Sequence, residues 1–232
     1  MEIKLYLKKI LEKSGKISEK TIDEYSRALS ESHFKYGLLY DFVEEIIKSN
    51  EEPCVLKNAI SQIETSIYCL SIGLYRQAYS SLRLGFELAL GSIQFSTNKL
   101  EFLEWQLGKQ DVKWSKIIDN EHGVISRRYF EVFFPELIPV AELYNSSAKN
   151  VYRKLSEFVH GNNETWKKDG LELTYNSILA RDYFNYYKSI SEILLVCLSM
   201  RYLKNLENEN LEFLLSELSH VEEIRVYLGG PK

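Results

Sequence analysis

Two side chains in this sequence could together move a proton and steady a phosphate: the imidazole of His160 and the guanidinium of Arg153, seven residues earlier in Tyr152-Arg153-Lys154-Leu155-Ser156-Glu157-Phe158-Val159-His160-Gly161. On a helix, seven residues is close to two full turns. Both groups then leave the same face, about 10 Å apart along the axis, and long side chains can bring the heads nearer. Such a pair suits RNA cleavage without a metal. The imidazole, whose ordinary pKa lies near neutrality, exchanges the proton of a 2′-hydroxyl as that oxygen attacks the neighbouring phosphate. The guanidinium stabilises the charge growing on the phosphoryl oxygens. The same residues also have a structural reading. Arg153 and Glu157 can form an i,i+4 pair on a solvated face, and His160 can sit in a last turn, where a helix favours a cation. A second Arg–His spacing, Arg27 to His33, diverges by about 120° around a helix and cannot share a face.

A second polar line runs through an otherwise apolar stretch. Arg76, Ser80, Arg83, Glu87 and Gly91 follow one another at four, three, four and four residues, which places them along one line of a helix. The structural reading, which we favour, is an Arg83–Glu87 pair one turn apart that holds the helix in register against a neighbour, since charges in apolar surroundings are costly unless paired. The functional reading is a polar seam lining a groove for phosphate or a partner.

Other chemistries lack their signatures. There is no GxxxxGK[ST], no GxGxxG after a strand, no HExxH, no paired-cysteine knuckle and no GxSxG. The four histidines, His33, His122, His160 and His220, are scattered along the chain. No metal and no cofactor is expected.

Positioning these residues requires long helices. Of 232 residues only four are Pro and eleven Gly, so long uninterrupted stretches remain, and 45% hydrophobic residues suffice for a sizeable core. The apolar spacing predicts a helix ending near Gly15 and another from Ser18, a candidate N-cap, toward Ser49. An antiparallel hairpin follows, turning at Gly73, with its second helix running from Tyr75 to about Ser96. Residues 97–135 read as short helices and loops, an irregular insertion or lid that carries Trp105, Trp114, the Arg127-Arg128 pair and an aromatic cluster ahead of Pro135. Pro139 opens a long helix to about His160, with Gly161 ending it and a polar loop over 162–169. A strong helix runs from about Tyr175 to Leu203, and an acidic one from Leu211 to about Leu228 docks on the bundle or on a partner. No segment alternates with period two. The fold expectation is an all-α antiparallel bundle, divided into an N-terminal helical segment (1–50), a bundle (55–204) and an acidic C-terminal helix (205–232).

The hairpin Gly73-Leu74-Tyr75-Arg76-Gln77-Ala78 with Arg83 and Glu87, taken with the Arg153-x6-His160 helix ending in Gly161, resembles the HEPN superfamily of helical proteins, many of them RNases. The resemblance covers about residues 55–204. It implies a homodimer in which two Arg–His pairs meet in a cleft at the interface, and metal-independent RNA cleavage in toxin–antitoxin, anti-phage or related defence systems. On it, His160 is the general acid/base and Arg153 the transition-state stabiliser. Lys154, Lys149 and Arg83 are candidates for substrate phosphates. Where active members carry Asn, Asp or His directly after the arginine, this chain has Lys154. The superfamily also includes non-catalytic members.

Charge fits a local phosphate site better than a general nucleic-acid coat. The net charge is −4, with six glutamates against Arg225 and Lys232 in residues 205–232, while residues 146–168 carry a local +3. The expected partners are therefore RNA, a second copy of the chain and a neutralising protein such as an antitoxin, with no membrane. Three cysteines without CxxC spacing suit a reduced, cytoplasmic setting. The N-terminus lacks the small-residue cleavage site of a signal peptide, and runs such as Ile193–Leu198 are too short to span a bilayer. The alternative is a non-catalytic interaction or regulatory module. It draws on the sixteen tyrosines, the Tyr183-Phe184-Asn185-Tyr186-Tyr187 cluster and the acidic tail. A third reading, a small-molecule sensor with a pocket between helices, has no convergent polar set visible in the sequence.

Overall fold

A computed structural model describes residues 2–49, 54–160, 173–207 and 211–232. It is all-α, and no strand occurs among the described residues. The α-helices are α1 (Ile3–Ser49), α2 (Cys54–Ser71), α3 (Tyr75–Phe95), α4 (Lys99–Gln106), α5 (Trp114–Ile117), α6 (Arg127–Phe133), α7 (Ile138–Val159), α8 (Ser177–Tyr202), α9 (Leu215–Leu218) and α10 (Glu222–Tyr227). No described helix is long and apolar enough to cross a membrane.

The hairpin α2–α3 turns where the sequence places it. Gly73 takes φ +82°, a left-handed value open to glycine, and lets the Leu74 N–H reach the Cys69 carbonyl at 2.8 Å, closing the end of α2. The two helices then approach closely at Gly85. A Cβ there would lie 2.8 Å from the Ala59 carbonyl oxygen and 2.7 Å from Ile63 Cγ1 on α2. Helices α7 and α8 pack on α3, and α1 completes the bundle against α2 and α8.

Two expectations need correcting. Gly15 does not end a helix and Ser18 is no cap, because α1 continues from Ile3 to Ser49. Gly15 keeps a negative φ, and one interior glycine costs only about 1 kcal/mol relative to Ala, too little to break a helix whose neighbours sustain it. The actual irregularity is at Tyr25 (φ −123°, ψ 23°), where the ring packs 5.3 Å from that of Phe184 and the hydroxyl donates to the Ser177 carbonyl at 2.8 Å.

Nor is the tail one helix. A 3-10 turn (Glu212–Leu214), α9 and α10 are separated by a bend at Ser219–Val221, held by Arg225, which donates to the Ser219 carbonyl at 3.0 Å and the Pro231 carbonyl at 2.8 Å. Of the two docking sites considered for the tail, it uses the bundle. Leu211, Leu214, Leu218, Val221 and Ile224 are buried, and Lys35 of α1 donates to Glu217. One continuous core therefore runs from Leu39 on α1 to Ile224, across all three of the segments drawn from the sequence.

The tyrosines explain themselves within this core. A buried phenol needs a partner, and these find one on another helix or strand of chain. Tyr183 shares a hydrogen bond with Ser66 Oγ at 2.6 Å, Tyr187 donates to the Ser32 carbonyl at 3.1 Å, Tyr79 to the Leu179 carbonyl at 2.9 Å and Tyr144 to Glu192 at 3.0 Å. Tyr183, Tyr187 and Phe184 are buried, so the aromatic cluster considered as an interface is core.

Candidate functional site

Helix α7 begins with Pro139 in its first turn, as its missing N–H allows. Its inner face, from Ala141 through Tyr144, Ala148, Val151 and Leu155 to Phe158, is buried. This stripe at three- and four-residue spacing fixes the rotation of the helix and turns Arg153 and His160 outward, both exposed. Neither side chain forms a hydrogen bond or ion pair among the described residues. The Arg153–Glu157 pair of the structural reading does not form; Glu157 lies 3.6 Å from Lys154 instead. The His160 N–H still donates to the Ser156 carbonyl at 3.0 Å, so the residue sits at the helix end in near-helical geometry (φ −86°, ψ 10°). The seven-residue spacing thus carries through, with both groups on one water-exposed face. Gly161 and the loop 162–169 lie outside the described residues.

The end of α7 is clamped from α3. Arg76 Nη1 donates to the Phe158 carbonyl, and the Phe158 ring stacks on Tyr79 at 3.9 Å and 17°. Two residues before His160 the chain is therefore held by a guanidinium and by a ring that is itself anchored to α8.

The polar line of α3 meets α7 through Arg76, Arg83 and Glu87. Arg83 Nε donates to Ser156 Oγ at 3.1 Å, and Arg83 Nη2 donates to the Tyr152 hydroxyl while lying 3.5 Å from Glu87. Tyr152 in turn donates to Glu87 at 3.1 Å, stacks on Trp114 at 3.7 Å and 5°, and lies under the Arg83 guanidinium, 4.5 Å away. Gly91 leaves room for Val112, which a Cβ would meet at 3.0 Å. Burial outweighs the pull of Arg83 and Tyr152 on Glu87 and raises its carboxyl pKa. Burial next to that carboxylate pushes the Tyr152 phenol up to about 12. The Arg83–Glu87 pair one turn apart is present, packed against a neighbouring helix.

Arg83 is thus committed to an interhelical network, although Ser156, its partner, lies between Arg153 and His160 along the helix, about 40–60° round from them toward α3. Lys149 donates to Asn120 Oδ1 at 2.6 Å. Lys154 is half-buried and spans to Glu157. The structure therefore brings Arg153 and His160 onto one face, with Lys154 beside Arg153. It ties Lys149 to the 119–123 turn and turns Arg83 inward. Tyr152 and Trp114 are the members that local spacing could not reveal, because they meet α3 from 65 and 28 residues away in sequence. Among the described residues no group of His, Cys, Asp and Glu could hold a metal ion.

The chain matches no protein-family model, no curated protein and no solved structure.

Proposed function

We propose that this chain is an HEPN-like protein acting on RNA, a metal-independent endoribonuclease of a toxin–antitoxin or anti-phage defence system. The observation that carries the reading is the pair Arg153 and His160: two exposed groups on one face of α7, neither engaged by another described residue. His160 takes the proton of a 2′-hydroxyl, the 2′-oxygen attacks the adjacent phosphorus, and the P–O5′ bond breaks, leaving a cyclic phosphate and a 5′-hydroxyl once the leaving oxygen is protonated. Arg153 neutralises the phosphoryl oxygens as charge accumulates there. A second copy placing its own pair opposite would enclose the phosphate that a single exposed face leaves in water.

The test is purified protein on single-stranded RNA in excess EDTA, beside His160→Ala and Arg153→Ala. Both sites are exposed, so both variants should keep the wild-type circular dichroism. Loss of a positioned acid/base should slow cleavage by about 10²–10⁴-fold. Equal cleavage by wild type and His160→Ala, or none by either, ends the catalytic reading.

One observation favours a non-catalytic interaction module working through homo- or hetero-oligomerisation. The first turns of α1 carry Ile3, Leu7 and Leu11 at 63%, 51% and 70% exposure, an apolar stripe at four-residue spacing with no core behind it. Wild-type protein that leaves RNA intact would direct attention to that stripe.

A further inference from the structure

We infer that the irregular region 97–135 forms a binding site for a small aromatic phosphate of nucleotide size. Helices α4, α5 and α6 and the end of α3 enclose an open cavity of about 780 Å³, within the range of ligand pockets, and neither Arg153 nor His160 lines it.

Its walls differ in chemistry. On the α6 side the rings of Tyr129 and Phe133 lie 5.8 Å apart, and Val132 beside them is 68% exposed, a large aliphatic side chain facing water at the mouth. The Tyr129 ring is held by a 2.8 Å hydrogen bond between its hydroxyl and Thr97 Oγ1, and the Arg201 guanidinium lies over the Phe133 ring at 4.5 Å. This is a fixed apolar wall suited to a planar ring.

The rest of the lining is polar, with Arg128 contributed by α6 itself beside Tyr129, and Glu101, Lys116, Asp119 and His122 by the segments facing it. Its acids are already satisfied. Glu101 accepts from Gln94, from Asn98 at 2.8 Å and from Lys116 at 3.2 Å. Asp119 accepts the backbone N–H groups of His122 at 2.8 Å and Glu121 at 2.9 Å, which hold its carboxyl below the usual range. Lys116 is spent on Glu101. Arg128 is not matched in this way: no carboxylate lies within ion-pair distance among the described residues. Its hydrogen-bond partner is His122 Nδ1 at 3.1 Å. That leaves the remaining N–H groups of Arg128 as donors for a phosphate, with His122 Nε2 nearby at 4.0 Å from Glu121.

The donors are also placed by the backbone. His122 rides a turn in which Val124 N–H reaches the Ile117 carbonyl at 2.9 Å, and position 123 takes only glycine, because a Cβ would lie 2.4 Å from that carbonyl. A ligand carrying both a ring and an anion would use the Tyr129–Phe133 surface and the Arg128 donors together.

Isothermal titration with 1-naphthyl phosphate, 1-naphthol, inorganic phosphate and adenosine monophosphate tests this on the full chain. The expected result is one saturable site for naphthyl phosphate, competed by adenosine monophosphate, with naphthol and phosphate each at least tenfold weaker. Arg128→Gln should weaken naphthyl phosphate at least tenfold, and Val132→Ser should weaken it while leaving inorganic phosphate unchanged. Both positions are exposed, so unaltered thermal melts should certify that the variants fold. Wild-type affinity in Arg128→Gln, inorganic phosphate binding as tightly as naphthyl phosphate, or no heat at millimolar ligand would each overturn the assignment. None of these readouts depends on RNA cleavage.

Discussion

Replacing Arg83 by leucine should show what the α3–α7 seam is worth. In the wild type the guanidinium makes one hydrogen bond to Ser156 and one to Tyr152, approaches Glu87 to 3.5 Å and covers the Tyr152 ring. Leucine removes all four interactions and leaves Glu87, whose side chain is 14% exposed, with the Tyr152 hydroxyl at 3.1 Å. Removing one partner of a fully buried pair costs about 3–5 kcal/mol, chiefly because the survivor stays desolvated. The arginine side chain is 18% exposed and the glutamate keeps its own small window to water, so the expected loss is about 2–3 kcal/mol. At about 2–4 °C per kcal/mol for a domain of this size, the melting temperature should fall by roughly 4–12 °C. The double variant Arg83→Leu, Glu87→Leu removes the stranded carboxylate and should recover a substantial part of that loss. Urea denaturation followed by circular dichroism, run as a double-mutant cycle, measures both quantities. A single variant within about 0.5 kcal/mol of wild type, or a double variant as unstable as the sum of the singles, would refute the view that the pair is a structural unit.

Two further expectations concern the same face of the bundle. Gly85→Ala would gain about 1 kcal/mol from helix propensity on a free helix, but its Cβ would meet the Ala59 carbonyl and Ile63 backbone nitrogen at 2.8 and 3.2 Å. Backbone cannot move aside as a side chain can, so denaturant melts should show a net loss of about 1–3 kcal/mol, and a stabilised variant would contradict the close α2–α3 approach. Glu87 titrates above its ordinary 4.5 because burial outweighs its donors. The folded state then binds more protons than the unfolded state between the two values, and stability from this group falls as pH rises through that window. Glu87→Gln should therefore cost more, relative to wild type, at pH 4 than at pH 7, and the opposite order would reverse the assigned cause.

How much was legible follows the range of each interaction. The Gly73 turn, the α7 and α8 spans and the Arg83–Glu87 pair are encoded within a few residues: a glycine after an apolar stripe, a proline in a first turn, opposite charges at i,i+4. Their positions in the structure agree with the sequence reading. The reading at Gly15 failed because a glycine is only a weak helix breaker, and the α1 irregularity at Tyr25 depends on contacts with Phe184 and Ser177, over 150 residues away. The C-terminal bend was hidden because buried leucines at three and four residues suit one helix as well as two short ones. Tyr152 stood inside the motif on which the resemblance rests, yet its bond to Glu87 could be known only after α3 and α7 were packed together. The cavity beside Arg128 had a visible fragment, the Arg127-Arg128 pair near an aromatic cluster, but its opposing wall comes from the end of α3 and from α4 and α5.

The tail's docking also sets an order of events during synthesis. Leu211 to Ile224 seal a surface built from segments made much earlier: Lys35 waits 182 residues for Glu217, and the Phe134 ring waits for Tyr227, 5.4 Å away in the finished fold. Until translation passes that stretch, the bundle has helices in place and a seam of aliphatic and aromatic side chains still wet. That interval gives a chaperone its opportunity and a stop codon its greatest harm, since a nascent chain halted at residue 205 would keep Arg153 and His160 while leaving its own interior open along one side.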